Sequence, residues 1–179
     1  MEERTRSERR VFEGRIVALD VLEIERADGL RAEREIVRHA PAVGVLARLP
    51  DGAFLLVRQY RKAIESYAIE ICAGLVDPGE GAETAARREL LEETGCRAER
   101  LLPLGSLYSS PGYTDERVDV FFAECAEPDA ALSLDADEHV EVLRLDAEGI
   151  EALIRDGHMV DAKSVAAWTL YRGRFGEGR

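Results

Sequence analysis

Apolar positions fall first into short extended runs and later into helical spacing, with Gly and Asp marking the breaks. Residues 11–26, VFEGRIVALDVLEIER, read as extended and largely apolar, and LRAEREIVRH follows at 30–39 after Asp28-Gly29. Asp-Gly between two extended runs favours the positive φ of a tight turn, so a hairpin is predicted there. A second is predicted about Asp51-Gly52, between AVGVLARL and AFLLVRQY. SYAIEIC adds a strand at 66–72, and short strands are predicted at 98–108, 117–125 and 139–145. SSPGYTDE at 109–116 carries turn chemistry, and LDADE at 134–138 is a polar acidic loop.

Helical patterning dominates elsewhere. Residues 83–94 are rich in Ala, Arg, Leu and Glu, and Gly95 suits the left-handed position that closes a helix. Asp146 is predicted to cap AEGIEALIRDG, where Ile150, Leu153 and Ile154 share a face, and Asp161 to cap AKSVAAWTLYR. Strands, then a helix, then strands, then helices imply an α/β (α+β) protein whose mixed sheet is packed by helices.

The chain of 179 residues, 46% hydrophobic and 34% charged, is long enough for one domain with a real core, or for one domain plus a small appendage. Runs such as AVGVLA and AFLLV are too short to cross a bilayer, and MEERTRSERR lacks the apolar core of a signal peptide, which points to the cytoplasm. The first ten residues read as a disordered charged tail. A net charge of −12 argues against nucleic acid, whose phosphates are gripped by clustered Lys and Arg. A phosphate-bearing ligand must then be small and met by a locally positive site or by bound cations. Cys72, Cys96 and Cys125 are odd in number and lack metal-site spacing, so they are read as buried free thiols.

Within the helix at 83–94, Glu89, Glu92 and Glu93 lie on one face near the C-terminal end. Negative charge is least welcome there, because the terminal carbonyls carry a partial negative charge. A solvated acidic face with Arg87 and Arg88 as salt-bridge partners is the simplest account. Three crowded carboxylates otherwise call for a counter-ion, and hard oxygen ligands favour Mg²⁺ or Mn²⁺.

The surrounding residues decide between these accounts. Gly74, Glu80, Arg88-Glu89-Leu90, Glu92-Glu93, Gly95 and Cys96 stand in the order and spacing of the Nudix signature. Every charged and glycine position of the box at 74–96 is filled, and Cys96 takes its last, apolar slot. The chain therefore resembles the Nudix hydrolases, and outside the box it resembles their ADP-ribose pyrophosphatase subfamily. SPGYTDE, EGRIVALDVLEIE with REIVRHAPAVGVL, LVRQYRKAIE, DADEHVEV and DGHMVDAKSVAAW carry that second likeness, across about residues 11–171.

The resemblance implies an α/β/α sandwich at 41–179, preceded by an antiparallel β region at 11–40 that is exchanged between the subunits of a homodimer. It implies Glu89, Glu92 and Glu93 as ligands of Mg²⁺, with Mn²⁺ or Zn²⁺ as substitutes, and the Ala73 carbonyl completing the inner site. Arg88 would orient the glutamates, and Glu80 would support the loop or an outer metal. Arg34 and Arg61 would grip adenosine or diphosphate, and Pro111 and Gly112 belong to the substrate loop. The general base would come from the acidic loop, with Glu138 first and Glu141 second; Asp135 and Asp137 share that loop, and His139 is a weaker candidate. The implied reaction is Mg²⁺-dependent cleavage of ADP-ribose to AMP and ribose 5-phosphate. The alternatives are hydrolysis of GDP-mannose or a UDP-sugar, or a sensor that binds a nucleotide sugar without cleaving it.

Overall fold

A computed structural model describes residues 2–134 and 139–176. Ten strands and three α-helices are described, with a 3-10 turn at Lys62–Ile64: β1 (Glu3–Glu13), β2 (Val17–Arg26), β3 (Arg31–His39), β4 (Ala42–Arg48), β5 (Phe54–Arg61), β6 (Ser66–Glu70), β7 (Cys72–Leu75), α1 (Ala82–Thr94), β8 (Ala98–Tyr108), β9 (Arg117–Cys125), β10 (Val140–Leu145), α2 (Ala147–Arg155) and α3 (Ala162–Phe175). They form two compact units, Met1–Pro41 with Tyr108–Arg117, and Ala42–Leu107 with Val118–Arg179.

The larger unit is built on a mixed sheet of order β10-β5-β4-β9-β8, with β6 on β5 and β7 on β4. β4 runs parallel to β9 and antiparallel to β5 and β7. Side chains on a strand alternate between faces, and here both faces are apolar. Ala42, Leu46, Leu56, Val118, Val120 and Phe122 pack with Ile150 of α2 and Trp168 and Tyr171 of α3. Val43, Val45, Ala47, Leu55, Phe121, Ala123 and Cys125 pack with Ala85, Ala86 and Leu90 of α1. That alternation produces the three-layer arrangement, with α1 alone on one face and α2 and α3 on the other. All three cysteines are free and buried on the α1 side.

The helix ends follow their caps. Asp146 accepts a hydrogen bond from Gly149 N and Asp161 from Ser164 N, while Gly95 closes α1 at φ 69°. Each satisfies a backbone group that the helix itself leaves open.

The smaller unit departs from the sequence reading in two places. Residues 3–10, expected as part of a tail, belong to β1, which pairs antiparallel with β2. Every residue of β1 is exposed, so its polar composition gave no burial signal. Cross-strand pairs hold it instead, among them Arg6 to Glu25 at 2.8 Å and Arg10 to Asp20 at 2.7 Å. The run at 11–26 is broken by a turn in which Gly14 N donates to Val17 O. Asp20, 1% exposed, takes hydrogen bonds from Arg10 and Arg38, which hold its carboxyl well below the usual carboxylate range.

Candidate active site

The segment from β7 into α1 folds back so that the strand backbone meets the glutamates of the helix. Ala73 N donates to Glu93 Oε2 at 3.1 Å, and Glu93 is only 4% exposed. A Cβ built on Gly74 would stand 2.0 Å from the Glu89 carboxyl carbon. No side chain larger than hydrogen fits between that strand and that carboxylate.

Arg88 gathers the remaining acids. Its guanidinium grips Glu80 at 3.1 and 2.9 Å, reaches Glu89 at 2.6 Å and Glu92 at 3.2 Å, and donates to the Leu75 carbonyl at 2.9 Å. The planar fork of arginine suits such multiple contacts, which a lysine cannot reproduce. Its two-point contact holds the Glu80 carboxyl below its usual range. Burial pushes the Cys72 thiol far up, and the neighbouring Glu93 carboxylate adds to this, so Cys72 stays protonated.

Residues 38–168 match the family model described as NUDIX domain. The chain belongs to the Nudix family of hydrolases. Over 168 residues it is 39% identical to an ADP-ribose pyrophosphatase of Bacillus subtilis (strain 168), a match that covers 93% of this chain and 91% of the relative. Over 167 residues it is 37% identical to a methanol dehydrogenase activator of Bacillus methanolicus, covering 93% and 90%. A crystal structure of an ADP compounds hydrolase superposes with a TM-score of 0.86 at 26% identity, covering 99% of this chain and 98% of that one.

Residues 74–96 fall within the matched stretch, and their donor set can be tested against a divalent cation. Among the described residues no group of three His, Cys, Asp or Glu side chains is arranged to hold a metal ion. Glu89 and Glu92 are turned toward Arg88, and Glu93 toward Ala73 N. The donor chemistry nevertheless fits a hard cation: three carboxylates share the last turns of one helix, and the backbone of 73–74 lies against two of them.

The other candidates sit on other elements. Arg34, on β3, is bound to Glu3. Pro111 and Gly112 belong to a loop fixed to β3 by Val37 N to Tyr113 O at 2.8 Å and by Asp115, which accepts from His39 N at 3.0 Å and from Arg38 at 3.1 Å. Both lie in the smaller unit. Glu141 pairs with Arg58 at 2.8 Å. It alternates with Val142, which packs on the α1 side, and shares the face of Leu143 and Leu145, which pack toward α2 and α3. The structure therefore does not bring Glu141 to the α1 carboxylates. Glu138, Asp135 and Asp137 lie outside the described residues, and His139 is their described neighbour.

Arg61 forms a two-point contact with Glu70 at 2.7 and 2.8 Å. Lys163 of α3 also binds Glu70 and lies 3.1 Å from Asp161. Neither Glu70 nor Lys163 was singled out from the sequence. The available signal was a glutamate inside the apolar run SYAIEIC, because a charge buried in a strand must have partners. Burial pushes the Glu70 carboxyl up, but Arg61 and Lys163 outweigh it and bring it down from 4.5 to about 2. A lowered folded value means that Glu70 contributes stability above pH 4.5, which is lost as pH falls toward 2. With half-exposed Arg61 discounted for solvent screening, the contribution is ~2 kcal/mol. Denaturant unfolding of wild type should show that loss over this window, and Glu70→Gln should flatten it.

Proposed function

We propose that this Nudix hydrolase cleaves the diphosphate of ADP-ribose in the presence of Mg²⁺, releasing AMP and ribose 5-phosphate. The observation that carries the reading is the gathering of Glu89 and Glu92 by Arg88, with Glu93 and Glu89 laid against the backbone of Ala73 and Gly74. The likeness to an ADP-ribose pyrophosphatase over nearly the whole chain supports the choice of substrate.

Bound Mg²⁺ would neutralise diphosphate charge and lower the pKa of a bound water. Glu89, Glu92 and Glu93, with the Ala73 carbonyl, would hold it. Arg88 keeps Glu89 and Glu92 together and would orient them for the cation. Arg61, its head fixed by Glu70, and Arg34 are proposed to receive phosphate or adenosine, and the Pro111-Gly112 loop to border the substrate. Glu138 remains the proposed base, and Glu141 is the weaker choice because it faces α2 and α3. The reading includes a cytoplasmic homodimer that exchanges its N-terminal strands, so that both chains complete each site.

The test is a panel of ADP-ribose, GDP-mannose and UDP-sugars with Mg²⁺, followed by nucleotide release. ADP-ribose should be cleaved at least tenfold faster than the others, a margin of about 1.4 kcal/mol. Preference for GDP-mannose would retain the chemistry and discard the substrate. Binding without cleavage of any member would make the protein a sensor.

A further inference from the structure

The segment after β9 lies along the closing end of α1, where the helix carbonyls are unsatisfied. Ala126 N donates to Arg97 O at 3.2 Å, Asp129 N and Ala130 N to Gly95 O at 3.2 and 3.3 Å, and Ser133 N to Glu92 O at 3.0 Å. Residues 126–133 thus form a strap held by backbone hydrogen bonds to the last turn of the helix and to the residues just after it, with Arg97 and Asp129 paired at 3.6 Å beside them. Its final contact falls on Glu92, the same residue whose side chain Arg88 holds.

Gly95 makes this approach possible. A Cβ there would sit 2.4 Å from Ala130 O, and its φ of 69° is one that L side chains rarely adopt. The helix closes on its own glycine turn, with Gly95 N donating to Leu91 O, and the distant segment adds amide donors on Glu92 O and Gly95 O. Those donors also bring partial positive charge to the helix end that must carry Glu89, Glu92 and Glu93.

We infer that the Ser133 amide is a positioning group for Glu92, and that the strap and the metal-binding end of α1 are thermodynamically coupled. The inference rests on the reading of Glu89, Glu92 and Glu93 as metal ligands. Coupling is reciprocal: if the strap strengthens cation binding, the cation must strengthen the strap by the same factor. Groups that orient metal ligands typically change affinity 10–100-fold, so a factor of about ten is expected here.

The first measurement needs only the intact protein. Amide hydrogen exchange at Asp129, Ala130 and Ser133 should slow about tenfold when Mg²⁺ is added to wild type, and should not respond in Glu93→Gln. The second is a Mn²⁺ titration followed by electron paramagnetic resonance. Ser133→Pro, which removes the donor, should raise the Mn²⁺ midpoint about tenfold, whereas Ser133→Ala, which keeps it, should leave the midpoint unchanged. If wild type and Glu93→Gln bind Mn²⁺ equally, the ligand reading itself fails. If Glu93→Gln loses Mn²⁺ but strap exchange in wild type ignores Mg²⁺, the ligand reading stands and the coupling is overturned. Equal midpoints for Ser133→Pro and wild type overturn it as well, and should Ser133→Pro not fold, the exchange result decides.

Discussion

Replacing Glu93 with glutamine is expected to cut Mg²⁺-dependent hydrolysis about a thousandfold, or about 4 kcal/mol on the barrier. The glutamine oxygen can still accept from Ala73 N, so the contact that ties β7 to α1 survives. What disappears is one negative charge, and with it the strongest kind of bond a hard cation can make at that position. The same change separates a metal-site role from a structural one. Glu93 is nearly buried at a helix C-terminus, close to Glu89 and Cys72, with the Arg61 guanidinium also acting on it. Without divalent cations the variant should therefore unfold close to the wild-type temperature, while Mg²⁺ raises the midpoint of wild type alone. A variant that is inactive and also clearly less stable in EDTA would show that Glu93 is needed for folding and would remove the support for its role as a ligand.

How far the sequence reveals this site depends on whether a residue's task is written in local spacing. Glu89, Glu92 and Glu93 share a face because a helix repeats every 3.6 residues, and Gly95 ends that helix because it tolerates a left-handed backbone. Asp146 and Asp161 announced two further helix starts in the same way. β1 did not announce itself: its residues are exposed, so the apolar alternation that marks a strand is absent, and only its partner β2 explains it. Glu141 stood second to Glu138 as a candidate base, and strand alternation turns it toward α2 and α3. The pairing of Glu70 with Lys163, and the contact of Ser133 with Glu92, join residues far apart in sequence. Such contacts follow from sheet order and loop course, which local patterns do not encode.

Gly74 shows how a consensus position acquires a physical meaning once its neighbour is seen. Gly74→Ala is expected to lower kcat/KM about a hundredfold, the usual penalty for moving a reacting constellation by about 1 Å. The new Cβ would meet the Glu89 carboxylate at 2.0 to 2.3 Å. β7 cannot retreat freely, because Gly74 is paired opposite Val43 of β4. Glu89 must move instead, and its contact with Arg88 at 2.6 Å moves with it. Overpacking of this kind costs about 1–3 kcal/mol of stability. The two residues should also be coupled: the penalty of Gly74→Ala should largely vanish in a Glu89→Ala background, where no carboxylate stands in the way. Denaturant unfolding of the four proteins in that cycle measures the coupling. Equal penalties in both backgrounds would mean that the glycine serves the strand itself, and that Glu89 owes its position to Arg88 alone.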